Sequence, residues 1–502
     1  MPNNTEAGSD FRLGAPTSEA PSHGIIVREF SGEFDGVRIN YRAIAGETYI
    51  RDQKGAAVAS YFTIAYLKSG VINSAARPVA FIFNGGPGSS SMWLHMGGLG
   101  PKRVRVPSST QNIGTPPYFV VDNNLSLLGR SDLVFIDPIG TGYSRALPGT
   151  DASKYWGLHE DAESIADLIE RWITDYGRWN SPKYLIGESY GTARACLLAE
   201  SLGGRYIAIN GIVLLAAVLD YQNSRPRDGD GGILSYASFL PTYAATAWYH
   251  GKVSVQGRTL EEFLAEVREF ARTDYSVALI ANVYRLSPPV HAKIVSRLVA
   301  YTGLSQGFIE NSNLRIPVKR FFKELLRTEG LAIGRLDGRY VGAENDSLSE
   351  FTESDPTFNA IRGAFASALS DHLRDLGVRV DRPYVFMSDI VEDSWKWSSP
   401  GALWSGGGYV NVVPSLGRAM RQNDKLKVLV ASGYYDLATP FFGVENALSQ
   451  DGLVQERIQH ILYEVGHMIF LHEPSLNCLS KDIASFIASE PDIDAVSSPG
   501  LD

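Results

Sequence analysis

Tyr184-Leu185-Ile186-Gly187-Glu188-Ser189-Tyr190-Gly191-Thr192-Ala193-Arg194-Ala195-Cys196-Leu197-Leu198 decides how the rest of the chain is read. An apolar run of strand character enters Gly-Glu-Ser-Tyr-Gly, and a helix-forming segment leaves it. The pentapeptide therefore sits at a sharp strand-to-helix turn, where glycines two residues either side of a serine let the turn close and leave the hydroxyl exposed above a sheet. The alternative is a glycine-rich turn with a structural serine. In a chain with 49 glycines the pentapeptide alone does not choose between them, so the choice falls to the other strand ends.

Bulk properties narrow the classes. At 502 residues and 44% hydrophobic content, the chain can bury a large core, as one domain with an insertion or as two or three domains. Lys+Arg of 46 against Asp+Glu of 55 gives a formal charge of -9, and no basic stretch with interleaved aromatics is present, so nucleic acid is not expected as a partner. The two cysteines, Cys196 and Cys478, make no disulfide framework. Met1-Pro2-Asn3-Asn4-Thr5-Glu6-Ala7-Gly8 has neither a basic n-region nor an apolar h-region, and no run of about 20 apolar residues occurs. The expectation is no membrane partner and cytoplasmic residence, with secretion or a periplasmic location as the alternative.

Residues 1–24 are rich in Ser, Pro, Gly and Asn and read as a disordered arm. Runs such as Val37-Arg38-Ile39-Asn40-Tyr41 and Ser60-Tyr61-Phe62-Thr63-Ile64-Ala65-Tyr66 then read as an antiparallel meander. Val79-Ala80-Phe81-Ile82-Phe83 and Leu133-Val134-Phe135-Ile136 are continuously apolar, as strands covered on both faces are. Ala162, Ile165, Ile169, Trp172 and Ile173 recur at helical spacing and predict an amphipathic helix near 159–176. Further buried strands are predicted at 212–216, 427–432 and 458–463. Strands alternating with helices give an α/β fold with a mostly parallel central sheet and an antiparallel N-terminal edge. The stretch 221–385 breaks this rhythm: Thr259-Leu260-Glu261-Glu262 fits a capping box, and Asp355-Pro356 an N-cap followed by an N1 proline. It reads as a mainly helical cap insertion between two parts of the core, 25–220 and 386–490, with a tail at 491–502. A separate domain is the alternative. Trp395, Trp397 and Trp404 are read as packing rather than pocket residues.

A serine hydroxyl needs a base to take its proton and an acid to orient that base. In the α/β-hydrolase arrangement the chain order is Ser, then Asp or Glu, then His. The strand at 427–432 runs into Gly433-Tyr434-Tyr435-Asp436, and the strand at 458–463 into Glu464-Val465-Gly466-His467. Asp436 and His467 thus stand in the loops after two carboxyl strand ends, in the required order. Donors for a developing oxyanion are expected from the N–H groups of Gly86, in Asn84-Gly85-Gly86-Pro87-Gly88, and of Tyr190. No HExxH helix is present, and neither a metal nor a cofactor is expected.

Asn84-Gly85-Gly86-Pro87-Gly88-Ser89-Ser90-Ser91 with Leu99-Gly100-Pro101, Asp137-Pro138 through Gly142-Tyr143-Ser144, Gly187-Glu188-Ser189-Tyr190-Gly191 and Gly466-His467-Met468 together resemble the serine carboxypeptidases, an α/β-hydrolase branch. The resemblance implies Ser189 as nucleophile, His467 as base, Asp436 as orienting acid and Gly86 with Tyr190 as the oxyanion hole. It also implies that Asn84, Gly85 and Glu188 hold the substrate's terminal carboxylate. The chain departs from the family in three places: Gly98 stands where the family has a glutamate paired with the one at 188, Ser89 where it commonly has a disulfide cysteine, and Thr439 where a cysteine is frequent. The expected function is a serine-type carboxypeptidase acting on a peptide or small acyl substrate. The alternatives are an esterase or acyltransferase of the same fold, and a non-catalytic binding protein on a hydrolase scaffold.

Overall fold

Strand pairing begins with the antiparallel meander Ile26–Phe34 (β1), Val37–Arg51 (β2) and Ala57–Lys68 (β3). The computed structural model describes residues 24–224, 232–255, 257–397 and 409–488; the arm up to residue 23, the tail 491–502 and Trp404 lie outside them. Six further strands complete the main sheet: Val79–Phe83 (β4), Asp132–Ile136 (β5), Lys183–Glu188 (β6), Gly211–Leu215 (β7), Lys427–Gly433 (β8) and Ile458–Tyr463 (β9). Their spatial order is β1-β2-β3-β5-β4-β6-β7-β8-β9, with the short strand Arg145–Ala146 also paired to β3. From β5 to β9 all neighbours are parallel, and β5 meets β3 antiparallel. The mostly parallel sheet with an antiparallel N-terminal edge is the one expected.

The continuous apolar runs follow from two covered faces. Along β4, Val79, Phe81 and Phe83 enter one core with Ile165, Ile169 and Leu198, from the helices Leu158–Asp175 (α1) and Tyr190–Gly204 (α2). Ala80 and Ile82 enter the opposite core, with Ile361 and Phe365 of the helix Pro356–Leu376 and Ile483 of the helix Glu473–Ala488. A strand alternates its side chains, so burial on both sides demands apolar residues at every position.

Between β7 and β8 the described elements are mostly helices, among them Ile233–Tyr249, Leu260–Phe270 and Pro288–Thr302. Thr259 and Glu262 make the reciprocal capping box, and the Asp355 side chain accepts from Thr357 N–H ahead of Pro356. The segment also holds a short antiparallel pair, Leu331–Ile333 with Val341–Ala343, which the helical reading did not include. Phe239, Tyr243 and Phe321 of this segment share a core with Tyr435, Leu437 and Phe441, so the segment packs on the loop that carries Asp436.

Candidate active site

Register brings the expected residues to one end of the sheet. Phe83 pairs with Gly187, which sets the loop 84–88 beside the Ser189 turn. Gly433 pairs with Tyr463, which sets the Asp436 loop beside the His467 loop. Between them Leu215 of β7 faces Glu188 on one side and Ala431 on the other, and its carbonyl accepts from Ser189 N–H at 2.9 Å.

Ser189 stands at the turn with φ 59° and ψ -129°, a conformation that side-chain-bearing residues avoid. The flanking glycines make this geometry attainable: a Cβ on Gly187 would collide with the Gly191 carbonyl oxygen. Ser189 is partly exposed while both neighbours, Glu188 and Tyr190, are buried. The loop 84–88 approaches so closely that a Cβ on Gly85 would lie 2.5 Å from Tyr190 N. Tyr190 opens α2, where an amide has no intrahelical acceptor. Among the described residues neither Gly86 N–H nor Tyr190 N–H has a backbone acceptor, so both remain available as donors.

Asp436 is fully buried and saturated with hydrogen bonds. Its Oδ1 accepts from Ala438 N at 2.8 Å and Thr439 N at 2.9 Å; its Oδ2 accepts from Thr439 Oγ1 at 2.6 Å and faces His467 Nδ1 at 2.7 Å. Thr439, at the position where the family often has cysteine, thus helps hold the carboxylate. Burial works against the imidazolium form of His467, but the charge and hydrogen bond of Asp436, with Glu188 adding, outweigh it and raise the imidazole above its ordinary value.

Glu188 is buried, with Oε2 accepting from Asn84 Nδ2, while Asn84 Oδ1 accepts from Leu94 N–H at 3.1 Å. Burial pushes its carboxyl up to about 7, against the pull of His467 and the Asn84 hydrogen bond. A Cβ on Gly98 would lie 2.5 Å from Leu476 and 3.3 Å from Phe470 Cβ, so apolar side chains occupy the room that a carboxylate there would need.

Two of the buried ion pairs that escaped the sequence reading touch the site's loops. Asp337 and Arg339, in the turn between the two short strands, form one at 2.7 Å. Asp337 Oδ2 accepts from Gly466 N at 3.1 Å, Arg339 donates to Glu464 O at 3.0 Å, and Leu336 O accepts from His467 N at 2.6 Å. This turn therefore grips the His467 loop on both sides. The available signal was Leu336-Asp337-Gly338-Arg339, two charges in a turn flanked by apolar strand-like runs. The second pair, Arg194–Asp161 at 2.6 Å, joins α2 to α1, and Arg194 also donates to the Asn84 carbonyl. Trp395 and Trp397 pack edge-on to the Tyr190 ring at 5.1 and 5.9 Å. Among the described residues no group of His, Cys, Asp and Glu is arranged to hold a metal, and no helix is long and apolar enough to cross a membrane.

The sheet order, with the strained serine turn and the Asp–His pair at neighbouring strand ends, is that of the α/β-hydrolase fold. Residues 42–218 match the serine carboxypeptidase family, and in that stretch the chain is similar to its members. A serine carboxypeptidase-like protein of Arabidopsis thaliana is 25% identical over 47% of this chain and 46% of its own length. A pheromone-processing carboxypeptidase of Phaeosphaeria nodorum is 34% identical over 24% of this chain and 17% of its own. The chain thus spans less than half the length of these curated relatives. A prohormone-processing carboxypeptidase of Saccharomyces cerevisiae superposes with a TM-score of 0.52 over 89% of this chain and 91% of its own, at 14% identity, a likeness of fold.

Proposed function

We propose that the chain is a serine-type carboxypeptidase in which Ser189 attacks the carbonyl of a C-terminal peptide bond. His467 Nε2 takes the hydroxyl proton while Asp436 holds the Nδ1–H tautomer, and Gly86 and Tyr190 N–H groups receive the oxyanion. His467 then returns the proton to the departing amine; water, activated by the same imidazole, releases the acyl group from Ser189. Residues 221–385 serve as the cap over this reaction. The observation that carries the reading is the Ser189 turn, strained and partly exposed, at the same sheet end as a buried Asp436–His467 pair.

Glu188 gives this reading its pH dependence. Below about pH 7 its carboxyl is protonated and donates to a substrate carboxylate beside Asn84; above that it repels the carboxylate. Turnover of a blocked dipeptide with a free C-terminus is therefore expected to fall as pH rises through about 7. Glu188→Gln keeps a donor at every pH and should remove that fall, while the matching C-terminal amide, which carries no charge to repel, shows no such fall with either protein. Stability carries the same sign. A folded carboxyl value raised from 4.5 to about 7 favours folding below pH 4.5, and the advantage is lost as pH approaches 7. Urea unfolding should thus find Glu188→Gln gaining up to about 3 kcal/mol on the wild type at pH 8 relative to pH 4.

The filled space at Gly98 favours a second reading, an esterase or acyltransferase that ignores the terminal carboxylate. Equal turnover of the blocked dipeptide, its amide and its ester would select that reading over the first.

A further inference from the structure

A cavity of about 810 Å³ lies within the segment between β7 and β8, and its wall includes Leu437 and Ala438. These two residues directly follow Asp436, and Ala438 N–H holds the Asp436 carboxylate at 2.8 Å. The cavity does not contain Ser189; it opens beside the triad acid's own loop. Arg335 lines it from the turn that grips His467, one residue before Leu336, and is close enough that its charge opposes imidazolium formation there.

The charged lining is unbalanced. Arg315, Lys319, Arg320 and Arg335 contribute cations, and Glu350 is the one anion among the described lining residues. Glu350 is taken by Arg320. Arg315 is half-buried and donates to the Leu279 and Asn313 carbonyls at 3.0 and 3.4 Å, contacts that leave its charge uncompensated. Lys319 is exposed in the lining, and among the described residues neither it nor Arg315 has a carboxylate partner. Cations gathered in a concave site raise the local concentration of anions and strengthen each charge-assisted hydrogen bond made there. Phe239 and Phe322 supply apolar wall, so a ligand here presents carbon as well as charge.

We propose that this cavity is a substrate subsite for a carboxylate, so that acidic peptides are the chain's preferred substrates. The proposal rests on the serine-hydrolase reading of Ser189 only for its consequence in turnover; the binding it asserts stands by itself. The carboxylate has two sources, an Asp or Glu side chain and the peptide's own C-terminus.

Binding to the Ser189→Ala protein separates these sources without requiring catalysis. Four blocked peptides of one sequence, with Glu or Gln at the penultimate position and a free or amidated C-terminus, are titrated calorimetrically. The Glu peptides are expected to bind about tenfold more tightly than the Gln peptides, with the gap shrinking in 0.5 M salt as exposed charges are screened over a Debye length of about 4 Å. A gap that follows the free C-terminus and is lost with Arg315→Gln and Lys319→Gln assigns the cavity to the terminal carboxylate, whereas one that survives them belongs to the Asn84–Glu188 pocket and leaves the cavity without a carboxylate. Adding Arg315→Gln and Lys319→Gln should bring either gap close to one, whereas Lys319→Arg should retain it and the distant surface change Lys54→Gln should leave it alone. No preference for Glu over Gln and no free-C-terminus preference that depends on Arg315 and Lys319, or a Glu preference that survives Arg315→Gln/Lys319→Gln in a cooperatively folded protein, overturns the proposal. Turnover of the same peptides by the unsubstituted protein reads the parent function separately: tight acidic binding without cleavage retains the subsite and rejects the peptidase.

Discussion

Replacing Ser189 by alanine is expected to lower kcat by about a millionfold and to abolish labelling by a fluorophosphonate probe, because the residues of such a triad act as a unit. The fold should survive. Ser189 is partly exposed, and its backbone amide and carbonyl make the hydrogen bonds to Leu215 O and Thr192 N that fix the turn, so loss of the hydroxyl should change unfolding free energy by no more than about 0.5 kcal/mol. Asp436→Asn makes a sharper companion. Two backbone N–H groups, from Ala438 and Thr439, already claim the oxygen on the Oδ1 side. The new amide must therefore turn its NH2 toward His467 Nδ1, which drives the ring proton to Nε2 and removes the base. A loss of about ten-thousandfold in kcat follows. Probe labelling that persists in folded Ser189→Ala protein would defeat the assignment of the nucleophile, and near-normal turnover by Asp436→Asn that of the orienting acid.

Local chemistry was legible in the sequence because the parallel strands end in loops, and loops carry their own signals. Gly187 and Gly191 mark the turn, Gly85 the close approach to it, and Asp436 and His467 follow apolar runs whose period announces burial. The Thr259–Glu262 capping box could be read from four residues since both partners lie within one turn. Long-range polar pairing could not. Arg339 reaches Glu464, and Arg194 reaches Asp161 and Asn84, across separations that no periodicity encodes. The cationic cavity has the same character, its side chains coming from a loop, a helix and a strand connection dispersed over residues 315–335. What fills the room beside Gly98 also had to be seen in space, since Phe470 and Leu476 stand more than 370 residues away in the chain.

Arg194→Met should be the most damaging single change outside the triad loops. Arg194 is fully buried, paired with Asp161 through Nε at 2.6 Å, donating to the Asn84 carbonyl, and set against the Tyr190 and Phe83 rings at 5.0 and 5.5 Å. It thus ties α1, the turn helix α2 and the glycine loop to one point. Burial pushes the Asp161 carboxyl above its usual range even with Arg194 beside it, so the cost of burying the charge is not fully offset by the pair. Removing the guanidinium leaves that carboxylate stranded, and urea unfolding at pH 8 should show a loss of about 3–5 kcal/mol. The deficit is expected to shrink as pH falls, because without Arg194 the Asp161 carboxyl is raised further than in the wild type, and a carboxyl whose folded value is raised favours folding when protonated and loses that advantage as pH rises. Arg194→Met/Asp161→Leu, which removes both charges, should recover much of the stability. It should not recover turnover, because the Asn84 carbonyl remains without its donor and the Gly86 N–H behind it loses its fixed aim at the oxyanion. A single variant that costs less than about 1 kcal/mol, or a double variant no more stable than the single, would show that Arg194 is not the tie between helix and loop.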